Sequence, residues 1–135
     1  MGKITLELEE DFDFKLIGIS CHSKDYRLSF ELDRTLEFDF FKEENLEIKI
    51  KEGFAEFSFY SYIDEENYTE YYLLSNRGSM GYLVPEEKLS DYFLVIKGLI
   101  NDEKEILKKL NQIKLVLKAY SINVEELKSK RNLIF

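Results

Sequence analysis

Alternation of apolar and polar residues predicts most of the strands in this chain. A period of two buries one face of a strand and leaves the other face in water. The pattern is clearest in four segments, which are residues 4–8, 46–50, 54–63 and 68–76. The last two flank a polar loop of normal hairpin length. We therefore predict two amphipathic strands and a hairpin.

The register of the hairpin decides which side chains share a face. If Ile63 lies opposite Tyr68, one face carries Phe57, Phe59, Ile63, Tyr68, Tyr72 and Leu74. The other face carries Ser58, Tyr60, Tyr62, Thr69, Tyr71 and Leu73. The first face is the more apolar, so we predict that it forms the core. The second face is predicted to be an exposed, tyrosine-rich surface.

Two further segments complete the predicted sheet. Residues 92–96 are apolar without interruption, which predicts a strand that is buried on both faces in the middle of the sheet. Residues 13–19 fit either another strand or the start of a helix, and the pattern leaves both interpretations open.

Helical spacing occurs in three places. In residues 21–36, leucines recur at every fourth position, and Ser20 or Ser23 is a candidate N-cap. A second helix is predicted from a cap at Asn101 to about residue 120, along the apolar stripe Ile106, Leu110, Ile113, Leu117 and Tyr120. Asn123 and Glu126 resemble a capping box. They predict a short terminal helix over about residues 124–131.

These elements predict one α+β domain that spans residues 1–135. Its centre is a mainly antiparallel sheet of five or six strands, with two main helices on one face and a short C-terminal helix. No Pro/Gly/Ser-rich linker and no internal repeat divides the chain, so a single domain is the simplest organisation.

Charge and cysteine content narrow the class of protein. The chain has 19 basic and 27 acidic residues, a formal net charge of −8, which disfavours broad nucleic-acid binding. Residues 101–135 are the exception, with eight basic and five acidic side chains. Cys21 is the only cysteine, so no intramolecular disulfide can form. With no signal-peptide pattern and no apolar run of membrane-spanning length, the prediction is a cytoplasmic protein without a membrane partner.

Few residues suggest chemistry. His22 is the only histidine, and it neighbours Cys21 in sequence, whereas a nucleophile and its base usually come from separate segments. One histidine and one cysteine fall short of a zinc site, and no metal or cofactor is predicted. Glu86 and Asp91 are a candidate acid–base pair. Asp25 and Arg27 are the other candidates for a polar site.

A structural role for the acidic pair is the preferred interpretation. Pro85 fixes its own φ angle, and Glu86 suits the first turn of a short helix. Asp91 is expected to bond a nearby amide or arginine. Two partners are open for Arg27, which are Glu31 at i+4 on the same helix and, as a tertiary link, the region of Glu86 and Asp91. The segment is thus predicted to be a junction that ends one strand and starts the next.

The same segment resembles a family motif. Val84-Pro85-Glu86, three residues, then Ser90-Asp91-Tyr92 is similar to the defining motif of the IPExxxVDY family, small proteins of the Bacteroidetes. Residues 16–20, 25–28, 71–76 and 92–94 are similar to its other recurring segments. Val84 stands where the motif has Ile, and Ser90 where it has Val, so Ser90 is predicted to lie outside the deep core. The resemblance implies no established activity, ligand or catalytic residue.

Three functional hypotheses are consistent with these features of the sequence. The first is a non-enzymatic interaction or adaptor domain that self-associates, because tyrosine is enriched in interfaces. Its candidate contacts are the sheet edge, the tyrosine face with Tyr60, Tyr62 and Tyr71, and the apolar C-terminal residues Leu133, Ile134 and Phe135. The second is a small-molecule-binding protein or enzyme, which requires His22, Arg27, Glu86 and Asp91 to converge. The third is an RNA-associated protein that uses the basic C-terminal helix.

Overall fold

A computed structural model describes residues 13–98 and 103–135 of the chain. The strand predicted at residues 4–8 and the helix cap predicted at Asn101 lie outside these ranges. The described part is an α+β fold with two α-helices and a mainly antiparallel sheet, so the predicted class is confirmed.

The elements follow one another in an order that mixes strands and helices. The helices are α1 (Asp25–Leu36) and α2 (Glu103–Leu110). The strands are β1 (Lys15–Ser20), β2 (Phe41–Lys42), β3 (Leu46–Ile50), β4 (Gly53–Phe57), β5 (Phe59–Asp64), β6 (Thr69–Ser75), β7 (Arg77–Gly78), β8 (Gly81–Tyr82), β9 (Tyr92–Gly98) and β10 (Lys118–Ile122). Short 3-10 turns cover Pro85–Glu87, Val124–Glu126 and Lys130–Leu133. Residues 15–19, which the pattern left open, are therefore strand.

The main sheet has six strands in the order β10-β1-β9-β6-β5-β2, and each neighbouring pair is antiparallel. Strand β9 lies inside the sheet, between β1 and β6, and its residues 92–96 are buried. A strand that is covered on both faces has no position for a solvated side chain. The unbroken apolar run therefore predicted its place correctly.

The sheet is the middle layer of the fold. Helices α1 and α2 cover one face, where Leu28, Leu32, Ile106 and Leu110 join the buried residues of the sheet. The opposite face is covered by the β3–β4 hairpin, residues 83–84 and the C-terminal segment, through Ala55, Phe57, Leu83, Val84 and Leu133. Both helices lie on one face, as predicted, but the second face is also covered.

The helical layer overturns the predicted tyrosine surface. The hairpin pairs Ile63 with Glu70, two residues away from the predicted register. A two-residue shift preserves the faces, because side chains alternate with a period of two. Tyr60 and Tyr71 nevertheless lie beneath the helices, 7% and 6% exposed, so their assignment to an exposed surface was wrong. Tyr62 is half-buried, and its ring stacks on Phe38.

Both helices are shorter than the pattern indicated. Helix α1 begins at Asp25, and Lys24 is its N-cap residue without a side-chain hydrogen bond. Ser20 cannot cap it, because Ser20 ends β1 and its hydroxyl donates to the Leu89 carbonyl over 2.6 Å. Ser23 does not cap it either, and its carbonyl accepts from the Tyr92 hydroxyl.

Helix α2 ends at Leu110 because Asn111 ties the chain to the neighbouring strand. The amide of Asn111 donates to the carbonyls of Leu107 and Ala119, and its oxygen accepts from the Ala119 N–H. The residues that continue the apolar stripe then serve β10 and the connection to it. Leu117, predicted to face the core, is 63% exposed.

The C-terminal residues pack on their own chain. The predicted terminal helix is replaced by two 3-10 turns, the first capped by Asn123, whose side chain accepts from the Glu125 N–H. Leu133 is fully buried, so it is not available as a contact for a partner. Phe135 is 39% exposed and meets the rings of Phe59 and Tyr72 edge-on.

Candidate functional site

Asn76 organises the segment that carries the motif. It follows β6 directly and is fully buried. Its side-chain amide donates to the carbonyls of Glu87 and Ser90 over 2.8 and 2.9 Å, and its oxygen accepts from the Val84 N–H over 2.8 Å. Its backbone adds bonds to Asp91 and Leu83. One side chain thus satisfies three backbone groups of the connection between β8 and β9.

Asp91 joins three parts of the chain. Its backbone N–H donates to the Ile19 carbonyl, and its carboxylate accepts from the Cys21 N–H over 2.8 Å. The other carboxylate oxygen lies 3.2 Å from Nε of Arg77. Asp91 therefore bonds an amide and an arginine, and that arginine is Arg77 rather than Arg27.

Ser90 is fully buried, which corrects the prediction that it lies outside the deep core. Its hydroxyl hydrogen-bonds the Tyr120 hydroxyl, so a polar side chain is accommodated without an unsatisfied group. It lies directly over Gly18, where a Cβ atom would also come within 2.8 Å of Ile122 and the Tyr120 ring. Gly18 thus provides the space that this packing needs.

Glu86 anchors the C-terminal segment. Its two carboxylate oxygens accept from the backbone N–H and the hydroxyl of Ser129, over 2.8 and 2.9 Å. Burial alone would raise the pKa of Glu86, but the hydrogen bonds from Ser129 and neighbouring amides outweigh it and lower that pKa. Asn132 adds a second tie by donating to the Leu83 carbonyl over 2.8 Å.

The remaining motif residues also hold the junction together. Val84 is fully buried, and Pro85 begins the 3-10 turn that follows it. The Tyr92 hydroxyl donates to the Ser23 carbonyl over 2.7 Å, and burial, followed by the charge of Asp25, raises the pKa of Tyr92. All six motif residues therefore lie in one tightly bonded junction between β8, β9 and β1.

A polar groove opens beside this junction. It has a volume of about 420 Å³, and its lining includes His22, Asp25, Ser75 and Arg77. An adjoining cavity of about 320 Å³ shares much of that lining and reaches Asp91. The structure thus brings His22, Asp25 and Asp91 together.

Two of the predicted site residues do not reach the groove. Arg27 is an exposed residue of α1 that is not part of its lining, and Glu86 is bound to Ser129. The acid–base pair of Glu86 and Asp91 therefore does not form a common site. The hypothesis of a small-molecule site required His22, Arg27, Glu86 and Asp91 to converge, and the structure does not bring Arg27 and Glu86 to the groove.

Hydrogen bonds hold the carboxylate of Asp25 in place in the lining of the groove. One oxygen of Asp25 accepts from the Tyr60 hydroxyl over 3.1 Å, and the other accepts from the Tyr26 N–H. Burial, together with the nearby charge of Asp25, raises the pKa of Tyr60 to about 12. The guanidinium of Arg77 lies 5.9 Å from the centre of the Tyr82 ring. Arg77 is thus held between Asp91 and an aromatic face.

Within residues 13–98 and 103–135, no group of three or more His, Cys, Asp and Glu side chains is placed to hold a metal ion. A larger cavity, about 800 Å³, lies between the β3–β4 hairpin and β5, and its lining includes Glu43, Glu44, Glu47 and Glu56.

Within residues 13–98 and 103–135, no helix has the length and apolarity needed to cross a membrane.

The edge of the main sheet exposes apolar side chains. Strand β2 pairs only with Tyr60 and Ser61 of β5, so in the described part of the chain no strand lies beyond residues 62–64. Phe41 is 67% exposed and Ile63 is 49% exposed. The RNA-binding hypothesis relied on a basic helix near the C-terminus. The exposed surface of α2 carries Glu105 between Lys104 and Lys108, so its charge is mixed.

Sequence reasoning missed three residues that define this region, which are Asn76, Arg77 and Ser129. Asn76 was predicted only as the last residue of a strand, and Arg77 lay beyond that strand without an assigned role. Their position at the end of a predicted strand was the available signal, because polar side chains at strand ends are held by a rigid scaffold. Ser129 gave no signal, since its partner is 43 residues away.

A scan against protein-family models finds no match to the chain, and no curated protein matches it.

Proposed function

We propose that this protein is an IPExxxVDY-type, non-enzymatic interaction domain that self-associates through the outer edge of β5. The observation that carries the proposal is the open edge at residues 62–64, where no strand within residues 13–98 and 103–135 pairs with the outer side of β5. The exposed side chains of Phe41 and Ile63 lie beside it. An edge strand presents unpaired backbone groups and is a template for pairing with another chain.

The apolar side chains make this edge suitable for a partner. Phe41 lies opposite Ser61, so Phe41 and Ile63 occupy diagonal positions on the same face of the sheet. Such diagonal pairs lie about 7–8 Å apart, within reach of aromatic and long side chains. Together they provide an apolar contact beside the backbone groups that a partner strand would use.

A second copy of the chain fits this edge through a two-fold axis. Antiparallel pairing centred on Ile63 places Ile63 opposite its symmetry mate and Tyr62 opposite Asp64. No carboxylate of β5 then faces its own copy. A self-complementary contact of this kind is the commonest form of homodimer, and strand addition at a sheet edge is a common mode of recognition.

The engagement of Glu86 and Asp91 in separate contacts favours binding over catalysis. Glu86 accepts two hydrogen bonds from Ser129, and Asp91 accepts one from the Cys21 N–H and pairs with Arg77. Both carboxylates stabilise the junction in the conformation described above. Neither is held ready beside the other for proton transfer to a substrate.

Multi-angle light scattering over a range of protein concentrations tests the proposal. We expect the mean mass to rise from monomer towards dimer, and to rise further with added salt, because the net charge of −8 opposes association. Ile63→Glu should shift the transition to higher concentration.

Leu89→Glu is the matched control, since Leu89 is 81% exposed but lies in the junction, away from β5. It should leave the association unchanged. A strictly monomeric protein at every concentration, or an equal effect of the two substitutions, would contradict the proposal.

A further inference from the structure

Arg77 is the most distinctive side chain of the polar groove. Its Nε atom is paired with Asp91 at 3.2 Å, and Asp91 is in turn fixed by the Cys21 N–H. The terminal nitrogens of Arg77 donate no hydrogen bond within residues 13–98 and 103–135, and its side chain is 64% exposed. A guanidinium held at one edge keeps its other donors available in a fixed orientation.

Two serine hydroxyls add donors to the same groove. The Ser75 hydroxyl accepts from the Ser58 N–H over 2.9 Å, and the Ser79 hydroxyl accepts from the Glu56 N–H over 3.1 Å. Each hydroxyl has one proton of its own to donate. Since each oxygen is fixed by a backbone N–H, both hydroxyls are suited to donate their proton to an oxygen atom in the groove, whose lining includes both residues.

The charges of the lining select the type of oxyanion. Lys24 and Arg77 are opposed by Asp25 and Glu56 in the main groove, and by Asp91 in the adjoining cavity. A dianion such as phosphate would be repelled by the excess of carboxylates. A single carboxylate is repelled less, and a ligand that also carries an ammonium group gains attraction from the same acidic side chains.

We propose that this groove binds a small α-amino acid. The carboxylate of the ligand is held by the guanidinium of Arg77 and the hydroxyls of Ser75 and Ser79, and its ammonium group faces Asp25 and Glu56. A volume of about 420 Å³ is within the range of small-molecule sites. The bidentate match between guanidinium and carboxylate supplies the orientation.

An NMR titration of the full chain tests the site, with glycine, acetate and inorganic phosphate as separate probes. We expect glycine to shift backbone amide signals at residues 22–25 and 75–79. Acetate should bind more weakly because it lacks the ammonium group, and phosphate should bind most weakly. Arg77→Lys should weaken glycine binding roughly tenfold, since one charge-assisted hydrogen bond of the bidentate pair is lost.

Arg34→Lys is the matched control. Arg34 is 69% exposed and pairs with Glu31 on α1, so its replacement should leave glycine binding unchanged. The proposal is overturned if glycine causes no shifts at the groove, if phosphate or acetate binds as tightly as glycine, or if Arg77→Lys has no effect. Wild-type-like amide spectra of both variants establish that each one is folded.

Discussion

Replacing Asn76 by alanine should destabilise the protein more than its small size suggests. The side chain of Asn76 is fully buried and makes three hydrogen bonds to backbone groups of Val84, Glu87 and Ser90. Alanine removes all three bonds at once. The partner groups remain in place, because the connection between β8 and β9 is also held by Asp91 and Glu86.

The magnitude follows from the partners that lose their bonds. A buried donor or acceptor left without a partner costs about 1–3 kcal/mol. Val84 and Ser90 are fully buried, whereas Glu87 is partly exposed, so water can reach the Glu87 carbonyl more easily. Two full penalties and one smaller one give a loss of roughly 3–5 kcal/mol in the free energy of unfolding.

Urea denaturation followed by circular dichroism measures this loss, and an unchanged m-value establishes that the two-state comparison is valid. Asn67→Ala is the control, because Asn67 is exposed and its side chain bonds only to Asp64 in the hairpin loop. It should cost less than about 0.5 kcal/mol. A loss below about 1 kcal/mol for Asn76→Ala would refute the role of Asn76 as the organiser of the junction.

Three further perturbations have defined outcomes. Glu86→Gln should be less stable than wild type at neutral pH. The difference should vanish as the pH falls from 4.5, the ordinary pKa, through the lowered pKa of Glu86, because protonation removes the same charge from wild type. Denaturation midpoints at a series of pH values measure it, and a constant difference would contradict the expectation. Gly18→Ala should cost about 1–3 kcal/mol, since its methyl group would overlap Tyr120 and Ile122; an unchanged melting curve would contradict the close packing of Ser90 over Gly18. Phe135→Leu should keep the apolar contact but lose the ring interactions with Tyr72 and with the Lys97 ammonium at 4.8 Å. The free energy of unfolding should fall by about 0.5–1 kcal/mol. An equally stable variant would show that the ring adds nothing to burial.

The sequence predicted the sheet better than the helices, and the reason is physical. Strand patterns have a period of two, so β3 and the faces of the β5–β6 hairpin could be read despite an error of two residues in the register. The place of β9 followed from its apolar residues alone. The end of α2 could not be read, because Asn111 stops it by bonding to Ala119 of β10.

The error over the tyrosine face has a similar origin. Alternation reports that the two faces differ in polarity, and it does not report what covers each face. Tyr60 was predicted to be exposed because the opposite face of the hairpin is more apolar, yet its hydroxyl donates to Asp25 on α1 and the ring is buried. A polar tip with a specific partner leaves no trace in the local pattern.

The candidate site was only partly accessible from sequence. His22 was selected because it is the only histidine, Asp91 because it lies in the motif segment with Glu86, and Asp25 because it stands near Arg27 at the start of a predicted helix. Arg77 was missed, although it is the arginine that Asp91 binds, because 13 residues, which include the junction, lie between the two in sequence. Their pairing depends on Asn76, whose backbone N–H donates to the Asp91 carbonyl and so brings the strand ends together.

The open edge of β5 is the centre of the functional account, and amide hydrogen exchange measures it directly. Exchange of the amides at residues 62–64 should be followed at a protein concentration below the association range and at one well above it. We expect the Ile63 amide, whose N–H points to the outer edge of β5, to be markedly slower to exchange at the higher concentration. The amides of Tyr62 and Asp64, which point towards β6, and those of the exposed loop at 65–67 should be unaffected. Equal exchange of the Ile63 amide at both concentrations would contradict self-association through β5.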